Sequence, residues 1–167
     1  MTAKPFPILV DIDEVVLAWN KGFEIYLKSL KIQSVPGPPT TFDLCAKYPS
    51  VKPDRMLEHI QCFTHTMGYR TLDLIPEAEW GLFTLRDKFP ESMLIAVSCC
   101  GLDEITLSAR KYALRRLPFT SFIPLGITEP KDRVYSQFQP GVVIDDSVKN
   151  ITHAVEIGKS TRLNSSH

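Results

Sequence analysis

The chain has 167 residues, 44% of them hydrophobic, and its 19 basic and 19 acidic side chains cancel. That length suits one domain with a small insertion, and the apolar content is enough for a buried core. Zero net charge and the absence of a basic stripe argue against a polynucleotide-binding or membrane-surface protein, while leaving room for a local site that takes a small anion.

Cys45, Cys62, Cys99 and Cys100 show neither CxxC spacing nor a zinc-type Cys/His pattern. They read as reduced thiols of a reducing compartment. The apolar run Ile8–Val10 is too short for a signal sequence or a membrane span, so the expected location is the cytoplasm.

In chain order, residues 6–10 form an apolar run of strand length that stops at Asp11-Ile12-Asp13. A continuous apolar run fits a strand buried on both faces. Residues 16–30 read as a helix, with Trp19, Phe23, Tyr26, Leu27 and Leu30 at three- and four-residue steps. Residues 33–73 change character. A Pro/Gly cluster at 35–39 breaks regular structure, residues 40–48 look irregular with Phe42 and Leu44 as anchors, and residues 54–66 look helical. The stretch reads as a small helical cap inserted after the first strand, between core segments 1–32 and 74–158.

Alternation then resumes. A helix over 76–88, with Trp80, Phe83 and Leu85 on its apolar side, leads to a strand over 93–97 ending at Ser98-Cys99-Cys100. A helix over 103–117, a strand over 119–125, a short helix over 130–138 and a strand over 141–144 ending at Asp145-Asp146 follow. Ser147 can cap a last helix running to about Ile157. The polar tail 159–167 has no periodicity; it reads as a disordered or foreign terminus outside the fold. The fold class expected is α/β: three layers, Rossmann-like, with a parallel sheet and helices on both faces. In such sheets ligands bind at the carboxyl ends of the strands, where Asp11, Asp13, Ser98, Asp145 and Asp146 fall.

Four carboxylates at one sheet edge repel each other and raise one another's pKa values. A hard divalent cation relieves this, and Mg2+ suits a few carboxylates plus waters and a phosphate. One carboxylate can then attack phosphorus to give an aspartyl-phosphate, and a second can protonate the leaving oxygen and later activate water.

The motifs resemble the haloacid dehalogenase-like phosphatases. Ile8-Leu-Val-Asp-Ile-Asp-Glu-Val-Val16 resembles their DxDx[TV] first motif. Ile95-Ala-Val-Ser98 resembles the second, Lys131 matches the third-motif lysine, and Val142-Val-Ile-Asp-Asp146 resembles the fourth. The resemblance implies Asp11 as nucleophile and metal ligand, and Asp13 as general acid/base with its backbone carbonyl on the metal. It implies Ser98 and the Cys99 backbone N–H on phosphate oxygens, Lys131 as charge balance, and Asp145 and Asp146 on Mg2+, the last directly or through water. Bland alternatives stand beside these roles: Ser98 as a turn residue, Lys131 as a surface lysine, Asp146 as a helix N-terminal acid and Trp19 as core.

Glu14 stands where the family often has Gly, which bears on the choice of substrate. Within the family the chain is most similar to the 5′(3′)-deoxyribonucleotidase branch. That similarity makes Trp19 an aromatic facing a nucleobase. Separately, Glu14 could crowd the entrance to the site or add a polar contact, and Tyr69 and Arg70 are candidate substrate contacts from the cap beside a structural reading. The implied activity is magnesium-dependent phosphomonoester hydrolysis (EC 3.1.3.-) on a nucleoside monophosphate. The alternatives are small sugar or organic-acid phosphates, or a decayed binding domain on the same fold. No polynucleotide or membrane partner is implied, and a monomer or homodimer is expected.

Overall fold

The computed structural model describes residues 5–36, 44–139 and 141–164, the last helix beyond residue 157 as backbone. Phe42, Gly37–Pro39 and the final three residues of the tail lie outside the described residues. Four strands, β1 (Pro7–Asp11), β2 (Met93–Ser98), β3 (Ser121–Pro124) and β4 (Val142–Ile144), form one sheet in the order β3-β2-β1-β4. Every pairing is parallel. The register sets Val10 against Ala96 on one side and against Ile144 on the other. Asp11, Ser98 and Asp145 therefore leave the sheet at the same carboxyl edge.

Alternate residues of the buried strands feed opposite faces, as a period of two requires. Ile8, Val10, Leu94 and Ala96 pack with Leu82 of α5 (Ala78–Lys88) and Leu114 of α6 (Glu104–Leu114). Leu9, Ile95 and Val97 pack instead with Val134 and Tyr135 of α7 (Asp132–Phe138) and beside Ala154 of α8 (Val148–Asn164). Helices cover both faces of a parallel sheet, so the α/β three-layer expectation holds.

Between β1 and α5 lie α1 (Trp19–Ser29), α2 (Leu44–Lys47), α3 (Pro53–Thr64) and α4 (Met67–Arg70). Pro53 opens α3, where its missing N–H costs nothing. The Thr66 side chain caps α4 by accepting from the Tyr69 N–H. These helices are tied to the core through one aromatic cluster. Phe63 is fully buried and meets Trp19, Phe23, Tyr26 and Tyr69 at centroid distances of 5.5–5.8 Å. Cys100 and Ala109 complete the cluster from the β2–α6 side.

Several local expectations are corrected. Residues 44–47 form a helical turn rather than an irregular stretch. The helix expected over 54–66 is α3, ending at Thr64, and Thr66 then caps a separate short helix, α4, that was not expected. Trp80 and Phe83 face solvent, at 71% and 43% exposure, and Leu82 takes the buried position. The sequence period is the same for either face, and packing against β1 and β2 selects Leu82. On α6, Thr106, Ala109, Arg110 and Leu114 turn inward and Ile105 is exposed. The last helix continues through Asn164, past the expected end at Ile157, since no proline interrupts residues 158–164. No helix among the described residues is long and apolar enough to cross a membrane.

Candidate active site

β1 delivers Asp11 to the carboxyl edge, and β4 delivers Asp145 and Asp146 beside it. These three each present a carboxylate oxygen, all within 4.8 Å of one another. Lys131, immediately before α7, reaches between two of them: its Nζ is 2.7 Å from Asp11 Oδ2 and 2.6 Å from Asp145 Oδ2. Burial alone would lower the Lys131 pKa, but the two carboxylates outweigh it and hold the ammonium above its ordinary range.

Asp145 is anchored from several directions. Its Oδ1 accepts from the Ser147 N–H at 2.8 Å, Tyr135 Oη donates to Oδ2 at 3.3 Å, and Asn150 Nδ2 lies 3.0 Å from both oxygens. Tyr135 and Asn150 were not foreseen from the sequence. Only the spacing of Asn150, five residues after Asp145 in the first turns of a helix, hints at such a contact.

Burial pushes the Asp11 carboxyl from the ordinary 3.8 up to about 7; Lys131 pulls it back, while Asp145 and Asp13 add to the rise. Asp146 is raised too, by burial and by Asp145, with Glu14 adding to the negative field. A cluster of three carboxylates with oxygen donors this close fits a hard divalent cation, because oxygen-only ligands and crowded negative charge are what such an ion relieves. Asp11, Asp145 and Asp146 are the residues that would hold it.

Asp13 was expected near the metal as well. Its carboxylate is not one of the three that cluster, and it has donors of its own: Ser98 Oγ donates to Oδ2 at 3.3 Å, and Arg110 Nη2 donates to Oδ1 at 2.7 Å. Any part in metal binding is thus left to the backbone carbonyl, and the side chain is separately held. Ser98 is fully buried at the end of β2. The Cys99 thiol donates to the Glu129 carbonyl, and burial pushes its pKa up to about 11, so it is no nucleophile at neutral pH.

Glu14 has a left-handed backbone, φ 61°. The chain turns back sharply after β1, with the Glu14 N–H donating to the Leu17 carbonyl at 2.9 Å. Glycine makes such a turn without strain, whereas a side chain costs roughly 1 kcal/mol. Glu14 offsets this by accepting from the Asn20 N–H at 2.6 Å, which caps α1 where Ala18 offers no side-chain acceptor. Glu14→Ala, which keeps the strain and loses the cap, is expected to be less stable than Glu14→Gly by about 1 kcal/mol in denaturant unfolding. Equal stability of the two variants would remove strain from the account.

Trp19 is half-buried at the start of α1, its ring stacked on Phe23 at a centroid distance of 4.7 Å. Tyr69 is almost completely buried, between Phe63 and the Arg110 guanidinium, and does not face open solvent. Arg70 lies over the ring of Tyr112 at 4.2 Å.

The architecture has clear parallels among solved structures. A candidate phosphatase from Clostridium difficile superposes with a TM-score of 0.61 over 93% of this chain and 83% of its own, at 15% identity. The fold is the haloacid dehalogenase-like one. An L-2-haloacid dehalogenase matches with a TM-score of 0.56 over 92% of this chain and 81% of its own, at 15% identity. A hydrolase from Streptococcus pneumoniae gives 0.53 over 93% and 90%, at 11% identity. At these identities the likeness is one of fold. No family model and no curated protein sequence matches the chain.

Proposed function

We propose that this chain is a phosphomonoester hydrolase acting through an aspartyl-phosphate on Asp11, with a nucleoside monophosphate as its substrate. The observation that carries the reading is the division of labour among the acids. Asp11 lies with Asp145 and Asp146 against Lys131, whereas Asp13 is held by Ser98 and Arg110. A Mg2+ ion held by Asp11, Asp145 and Asp146 would neutralise charge on the phosphoryl group and the nucleophile. Lys131 would keep Asp11 ionised and in place, and the Ser98 hydroxyl, whose one proton goes to Asp13 here, would have to turn to reach a phosphate oxygen. Asp13 would give a proton to the departing oxygen and take one from the attacking water.

The separate Asp13 also favours a phosphate ester over a haloacid. An alkoxide is a poor leaving group and needs a proton, whereas a halide leaves without one. The nucleotide reading rests on the resemblance to the deoxyribonucleotidase branch and on half-buried Trp19, which opens the helix after β1 and stacks on Phe23.

Purified protein with Mg2+ is expected to release phosphate from nucleoside monophosphates in preference to sugar phosphates, and to leave 2-haloacids unchanged. Halide release without phosphate release would replace the phosphatase reading by a dehalogenase one. Trp19→Ala is expected to raise KM for nucleotides about tenfold and to spare small aryl phosphates, one lost stacking contact being worth about 1 kcal/mol or more. An equal loss on both classes would return Trp19 to the core.

A further inference from the structure

Arg110 is the most deeply buried cationic side chain among the described residues, at 1% exposure, and nothing in the nucleophile or metal chemistry calls for it. It projects from the inward face of α6, with Thr106 and Ala109. Its Nη2 donates to Asp13 Oδ1 at 2.7 Å, and its Cζ lies 4.6 Å from the centroid of the Tyr69 ring in α4. Nε and Nη1 are buried without a well-formed hydrogen bond among the described residues, and the Tyr69 hydroxyl and Cys100 thiol lie close to the guanidinium.

A buried guanidinium is costly, and an apolar side chain of similar volume would fill the space at least as favourably. An arginine kept for fold stability would be expected to use its fork on both carboxylate oxygens or on several carbonyls. Here a single nitrogen meets one oxygen of Asp13, and Ser98 Oγ takes the other oxygen. Two donors from separate elements, β2 and α6, thereby fix both oxygens of one carboxylate. The Tyr69 ring supports the guanidinium from the inserted helices, so the packing of α4 against α6 and the placement of Asp13 are mechanically linked.

We propose that Arg110 is a positioning residue for Asp13, with Tyr69 as its platform, holding the carboxylate where it serves the leaving oxygen and the attacking water. The inference rests on the phosphatase reading and adds to it a residue in direct contact with the acid/base. Arg110 touches neither the acidic trio nor Lys131 in the contacts described, so its loss should spare the attack by Asp11 and impair proton transfer.

Leaving groups separate these effects. A nitrophenolate leaves with little help from an acid; the alkoxide of a nucleoside needs a proton. Arg110→Met and Arg110→Lys are compared with the wild type in single-turnover formation of the phospho-enzyme, using an aryl phosphate and a nucleoside monophosphate, with melting temperature recorded for each. Arg110→Lys keeps the charge and most of the volume, so it carries the test if Arg110→Met does not fold. The expected result is a loss of about 100-fold with the nucleotide and less than about threefold with the aryl phosphate, the size of a general acid–base contribution. Arg110→Lys should fall between Arg110→Met and wild type on the nucleotide. Equal losses on both substrates, or no loss on either, would overturn the positioning role while leaving Asp11 as nucleophile. Wild-type protein that forms no phospho-enzyme from either substrate would overturn the phosphatase reading and the inference together.

Discussion

Asp11→Asn is expected to abolish phosphate release, by on the order of 10⁴-fold or more, since an amide neither attacks phosphorus nor ligates a hard cation well. Phosphate release from an aryl phosphate checks it; a variant that retains activity would remove Asp11 from the nucleophile role. The same substitution has a second, independent signature. Burial raises the Asp11 carboxyl to about 7, so the metal-free native state holds a proton that the unfolded chain releases near 3.8. The stability this contributes is fully present below about pH 4 and is lost as pH rises through about 7. A shift of that size corresponds to roughly 4 kcal/mol at most. Metal-free Asp11→Asn should therefore lose less stability than wild type between pH 4 and pH 7 in denaturant unfolding. Adding Mg2+ to wild type should flatten the same curve, because ligation favours the ionised form. A steeper pH dependence in the variant would contradict the burial of this carboxyl.

Lys131→Met is the second large effect. The side chain is almost fully buried and bridges Asp11 and Asp145 at 2.7 and 2.6 Å. Removing it leaves two acids in a low-dielectric edge without their common cation, a loss of about 3–5 kcal/mol. For a chain of this size that is a fall in melting temperature of about 10 °C. Mg2+ should recover part of it, as it re-pairs the same carboxylates and binds only the folded form. Catalysis should fall by about 100-fold or more even with Mg2+ present, since the charge opposite the phosphoryl oxygens is gone. A variant that melts with the wild type would show that Lys131 contributes nothing as a bridge.

The parts of this site that chain-local chemistry determines were legible in advance. Val10, Val97 and Ile144 each close an apolar run, so Asp11, Ser98 and Asp145 announce themselves as strand-end polar residues, and parallel pairing brings them together. Arg110 was not legible. It lies 97 residues from Asp13 in the chain, it sits beside Lys111 on a helix of mixed composition, and only the packing of α4 and α6 turns one of the two inward. Tyr135 and Asn150 escaped for the same reason: each is ordinary in sequence and acquires its role from where α7 and α8 pass Asp145. Glu14 shows a different limit. Its side chain suggested a substrate contact, but the dominant constraint is on its backbone, a left-handed turn that the side chain then helps to cap. Trp80 shows the reverse, an aromatic that a helical period counts as core although Leu82 and Leu85 are the residues of α5 that pack on the sheet.

The most direct test of the account is the site of covalent phosphate. Wild-type protein mixed with substrate and Mg2+, quenched in acid during turnover and mapped by peptide mass spectrometry, should carry one acid-stable, hydroxylamine-labile phosphoryl group on Asp11. Phosphate on another residue, or steady hydrolysis with no covalent intermediate trapped at any time point, would contradict it.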